Sequence, residues 1–159
     1  MASMKQLPYG VSDFKQLRRE DKYFVDKTRY IHEMEDVGNF LFLIRPRRFG
    51  KSVFLSMLRS YYDILERDKF QELFKGLWIA DHPTKEQGQF QVMYFDYSRI
   101  GGNSSVLEKN FDDYCSMVVD DFAESYQAYY DDEFLKGPRR SDSGPKRWSR
   151  YAATPKATR

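Results

Sequence analysis

The sequence predicts an α/β fold, a three-layer core built on parallel strands, and three observations carry that expectation. The run Phe40-Leu41-Phe42-Leu43-Ile44 is a short hydrophobic strand pattern that passes through Arg45-Pro46-Arg47-Arg48-Phe49 into Gly50-Lys51-Ser52 and a helix. A second nearly continuous apolar run, Phe90 to Tyr97, suits a strand covered on both faces. Amphipathic helical patterns follow each run, and strand, helix, crossover and strand make a right-handed βαβ unit with the basic loop at the carboxyl end of its first strand.

Taken in chain order, Lys5 to Tyr23 reads as an extended lead-in, with Ser12 or Asp13 capping a turn of helix through Phe14, Leu17 and Arg18. It is expected to be an adapter outside the core. Asp26 is placed to cap a helix from Lys27 to about Asp36, in which Tyr30, Ile31 and Met34 share one face. Gly38-Asn39 then signals a turn into the apolar run.

The basic loop has the order of parts that anion binding requires. A strand fixes the loop, backbone N–H groups face inward, and the following helix directs the positive end of its dipole at a phosphate. Gly50 would permit close approach, Lys51 would reach the β- and γ-phosphates of ATP, and Ser52 would ligate Mg²⁺. Arg47, Arg48 and Phe49 complete the expected nucleotide contacts. The general pattern G-x-x-x-x-G-K-[ST] asks for glycine where this chain has Arg45, and arginine adopts positive φ less readily than glycine.

The helix from Lys51 to about Glu66 carries the stripe Phe54, Met57, Leu58, Tyr61 and Leu65, widened by Val53, Leu55 and Ile64, which predicts extensive burial. A shorter helix from Asp68 to Lys75 ends at Gly76 as a C-cap glycine, and a polar loop spans Asp81 to Gly88. Beyond Gly101-Gly102-Asn103, Ser104 or Ser105 caps a long amphipathic helix to about Tyr130, with Cys115 on its apolar face as a core thiol.

Leu7-Pro8-Tyr9-Gly10-Val11-Ser12-Asp13-Phe14, Tyr23-Phe24-Val25-Asp26-Lys27-Thr28-Arg29-Tyr30-Ile31 and the loop RPRRFGKS (residues 45–52) together resemble the bacterial AAA-ATPase-like family. Asp81-His82-Pro83-Thr84 and Phe95-Asp96-Tyr97-Ser98 sit where that family has comparable segments. The resemblance covers residues 7 to 130. It implies a P-loop NTPase core of AAA type, ATP with Mg²⁺ as ligands, a usual arginine at position 45, and often a PD-(D/E)XK nuclease-like domain further on. By the same resemblance, Val25 to Arg29 is a candidate for contact with the base, or else only packs against the sheet.

Hydrolysis asks for an acid at the end of a second strand and a group to orient water. Asp96 is the candidate, as a weak Mg²⁺ ligand and catalytic acid, but no glutamate adjoins it. The family's Asp-Glu pair is expected after the long helix, where this chain changes character. The core is accordingly expected to be incomplete, truncated before the Walker B strand, so that ATP binds and hydrolysis is impaired. A sheet with missing strands leaves edges that invite self-association.

Composition limits the remaining classes. The 159 residues suit one domain with a core rich in aromatics, which make up 17%. One cysteine and two histidines leave no structural zinc pattern and point to a reducing compartment. The first ten residues lack the apolar core of a signal peptide, and no run is long enough to span a bilayer, so a soluble cytoplasmic protein without membrane contact is expected.

From Gly137 onward seven basic residues accompany one acid, which leaves residues 1–136 at net −4 within a total of +2. Residues 137–159 are expected to be a disordered basic tail, either a nucleic-acid-binding arm with Trp148 or Tyr151 stacking on bases, or an out-of-frame end. The alternatives to ATP binding are therefore a nucleic-acid module using Arg45, Arg47, Arg48, Lys51 and the tail, and an inactive truncated reading frame.

Overall fold

Phe14 and Leu17, at 0% and 2% exposure, are buried, so the lead-in segment contributes to the core. The computed structural model describes residues 5–38 and 40–130; the tail at 137–159 lies outside them. Two units, Met1–Gln91 and Val92–Arg159, divide the chain.

In the first unit, α1 (Phe14–Arg19) starts where the Asp13 carboxylate accepts from the Lys15 amide. Its N-terminus is tied to α3 (Lys51–Tyr62), because the Phe14 amide donates to Ser56 Oγ, which donates to Asp13. The helix's other end serves α4 (Phe70–Phe74): the Arg18 guanidinium donates to the Leu73 and Lys75 carbonyls, which the end of α4 leaves without an intrahelical partner. Phe14, Ile31, Phe54, Met57, Tyr61, Phe70, Leu73, Phe74, Leu77 and Ile79 form one cluster, with Phe14 and Phe74 rings 5.0 Å apart. A 3-10 segment (Ile64–Lys69) joins α3 to α4, and Gly76, at φ +73, permits the sharp turn that ends it.

The Asp26 cap is not used as its spacing suggests. Helix α2 spans Tyr30–Val37, with no side chain capping it. Asp26 Oδ1 accepts from the amide and hydroxyl of Thr28, while Oδ2 accepts from the Trp78 amide at 2.7 Å. Thr28, fully buried, accepts from the Ile79 amide. Both amides belong to the first turn of α5 (Trp78–Asp81), which has no cap from its own preceding residue. Asp26 and Thr28 thus cap a helix about fifty residues downstream.

In the second unit, α6 (Leu107–Ser125) buries Cys115, Val118, Val119, Phe122 and Ala123 at helical spacing. Neither serine caps it; the turn before it is held by Asn110 Nδ2 donating to the Gly101 carbonyl. Residues 92–96 are held at two points by tyrosines in and just beyond α6. The Val92 amide donates to the Tyr126 hydroxyl, and the Asp96 amide to the Tyr114 hydroxyl.

The three-layer parallel core is therefore not what this protein forms. Among the described residues there is no β-strand, only an isolated parallel bridge between Asp63 and Phe90. Two physical facts account for the difference. The amides at 92 and 96 are satisfied by tyrosine hydroxyls instead of a neighbouring strand. Residues 40–44 form no regular element and are open to solvent, with Phe40, Phe42 and Ile44 exposed by 92%, 92% and 90%. An apolar run specifies an extended backbone, but a sheet also needs a partner strand, which lies elsewhere in sequence. Leu55 and Leu65, expected on the buried surface of the helix after the loop, are also exposed, by 43% and 42%.

No helix among the described residues is long and apolar enough to cross a membrane.

Candidate functional site

The basic loop ends as the sequence predicts, with Gly50 as the N-cap of α3 in the left-handed region at φ +75, ψ +22. That conformation is cheap only for glycine. Arg48 also has positive φ, at +66, so backbone handedness alternates on either side of Phe49. A non-glycine residue held there stores strain of the kind found where a loop grips a ligand.

Lys51 is the best-positioned cation. Its ammonium donates to the carbonyls of Arg45 at 2.7 Å and Pro46 at 2.8 Å, turning back over the loop it follows. An ammonium has three protons, so one donor is left to point elsewhere.

Beside the loop is a cleft of about 120 Å³. Leu43, Arg45 and Phe49 wall it from the loop side, Gly50, Lys51 and Phe54 from α3, and Lys27, Tyr30 and Met34 from α2 and the segment before it. Among the described residues three cations line it and no carboxylate does. The dipole of α3 adds positive potential at the same end.

Of the predicted contacts, Phe49, Gly50 and Lys51 reach this cleft, whereas Arg47, Arg48 and Ser52 are exposed and do not line it. Tyr30 and Arg45 are the additions, and Lys27 comes from the segment Val25 to Arg29 that the family resemblance offers for contact with the base.

Asp96 belongs to the second unit, where its carboxylate accepts from the amide and hydroxyl of Ser98 and starts a 3-10 turn. Cys115 is buried, and burial, aided by the Asp112 charge, pushes its thiol up, away from nucleophile character. No group of three or more histidine, cysteine or acidic side chains among the described residues is arranged to hold a metal.

Residues 8–151 match the family described as predicted AAA-ATPase. The chain belongs to that family. Over 80 residues this AAA-ATPase-family chain is 41% identical to "Uncharacterized protein in vnfD 5'region" of Azotobacter chroococcum mcd 1. That alignment takes in 50% of the chain and 14% of the relative, so the chain spans a small part of the relative's length. No solved structure matches this family member.

Proposed function

We propose that the chain binds ATP, or another nucleoside triphosphate, by its phosphate end in the cleft formed by RPRRFGKS and α2. The observation that carries this reading is the Lys51 ammonium, pinned by two loop carbonyls at the start of α3 in a mainly apolar cleft that it shares with Lys27 and Arg45. Two of its donors hold the loop shape and the third addresses a phosphate oxygen. Membership of a predicted ATPase family supports the same ligand.

Mg²⁺ would come with the nucleotide; Ser52 in the first turn of α3 is the protein ligand the loop sequence implies, although it stands outside the cleft lining. Hydrolysis is proposed to be impaired, because Asp96 has no adjoining glutamate and among the described residues no carboxylate lines the cleft to orient a water.

The test is calorimetric titration of the full chain with MgATP, beside Lys51→Ala and the pair Arg47→Ala and Arg48→Ala. Binding lost with Lys51→Ala and kept in the arginine variants supports the reading. Weak, steeply salt-dependent association with oligonucleotides that either arginine variant reduces would favour a nucleic-acid module instead.

A further inference from the structure

We infer that Lys27, outside the phosphate loop, is a second phosphate-binding cation of this cleft, facing Lys51 and gripping the β- and γ-phosphates from the opposite wall. This rests on the nucleotide-binding reading above. Lys27 Nζ lies 3.8 Å from the place a Cβ on Gly50 would occupy, so its ammonium sits directly over the residue that begins α3. It shares the cleft with Arg45 and Lys51, and among the described residues no carboxylate lines that space to neutralise it. Among the described residues no ion pair joins Lys27 to an acid.

Its position is fixed from both sides. Asp26 accepts from the Trp78 amide and Thr28 from the Ile79 amide, so both neighbours of Lys27 are locked onto α5. The backbone at 27 is thereby prevented from swinging away, and the half-buried side chain is directed at the loop. A cation gathered beside two others at a cost in repulsion is stabilised when an anion fills the space between them. A single phosphate would leave that charge only partly matched, whereas the β- and γ-phosphates of a triphosphate match it. The loop supplies one lysine, and the α5-capping segment supplies the other.

The experiment titrates the full chain with MgATP, MgADP, AMP and inorganic tripolyphosphate, for wild type, Lys27→Gln, Lys27→Arg and Lys51→Ala, with thermal melting as a check on folding. Lys27→Gln is expected to weaken MgATP and tripolyphosphate about ten- to a hundredfold, ADP less and AMP hardly at all. Lys27→Arg should retain most of the affinity because it retains the charge. Wild-type binding that is lost in Lys51→Ala but unchanged in Lys27→Gln overturns this inference and leaves the nucleotide reading standing. Failure of wild type to bind either MgATP or tripolyphosphate overturns both. An equal loss for AMP and ATP in Lys27→Gln also overturns it, since that would be a structural effect on the cleft and not a phosphate contact.

Discussion

The ammonium of Lys51 donates to the carbonyl oxygen of Arg45 at 2.7 Å, which ties the lysine at the start of α3 to the backbone of the residue where this loop departs from the general glycine pattern. The contact uses a main-chain atom, so it does not depend on which side chain stands at position 45. Arg45→Gly is therefore expected to keep the Lys51 geometry and to weaken MgATP by no more than about tenfold, through loss of one solvent-exposed cation from the cleft. Lys51→Ala, which removes the donor itself, should abolish binding. If calorimetry finds Arg45→Gly as damaging as Lys51→Ala, the guanidinium, not the carbonyl, is the working part of the position.

The exposed run and the aromatic cluster should respond in opposite ways to truncation. Phe42 is 92% exposed while Phe74 is fully buried among Phe14, Tyr61 and Phe70. Phe42→Ser is expected to change unfolding free energy by less than about 0.5 kcal/mol, and Phe74→Ala to cost about 3–5 kcal/mol. Urea unfolding of the two variants checks this. A loss of several kcal/mol for Phe42→Ser would mean that residues 40–44 are buried.

These two residues also show which features could be read from sequence and which could not. Periodicities within one element were legible: Phe54, Met57 and Tyr61 are buried along α3, Cys115, Val118 and Phe122 along α6, and Gly50 and Gly76 stand at the expected helix ends. Each of those depends on neighbours within a few residues. Pairings across the chain were not legible. Phe42 has the pattern of a buried strand, but pattern does not supply a partner, and Asp26 has the form of a local cap while its carboxylate reaches Trp78. The turn through Gly50 into α3 was legible because its parts are contiguous. The family resemblance offered Val25 to Arg29 for contact with the base, but the place of Lys27 beside the loop was not legible, because it follows from the distant α5 contacts on either side of it.

Removing the Asp26 carboxylate should reveal that long-range cap. It accepts from Trp78, the Thr28 amide and the Thr28 hydroxyl, and an alanine leaves those donors without it. Asp26→Ala is expected to destabilise the first unit by about 1–3 kcal/mol, seen as a lower urea midpoint with unchanged slope. Thr28→Val keeps the shape but withdraws the acceptor for the Ile79 amide, so a smaller loss in the same direction is expected. Equal stability of Asp26→Ala and wild type would show that the α5 amides find other acceptors.

Stability should also decline in acid through Glu66. Burial would push this carboxyl up, but the hydrogen bond and charge of Lys15, at 3.0 Å, and then those of Lys69, at 3.2 Å, hold it below its ordinary value of 4.5. A carboxyl depressed in the folded state contributes stability that is fully present above its unfolded value and is lost as pH falls through the folded value. The contribution is thus expected to be constant from neutral pH down to about 5 and to disappear below about 4.5, where protonation breaks the link between α1 and the 3-10 segment. Because Lys15 is about one-third exposed, the effect is about 1 kcal/mol at most. Lys15→Met removes the main partner while keeping an apolar stem, so its stability should approach that of wild type below pH 4.5 and fall short of it at pH 7. Parallel denaturant titrations of both proteins across this range decide the matter: a difference that does not shrink with acid would assign the loss to packing of the Lys15 stem and not to its charge.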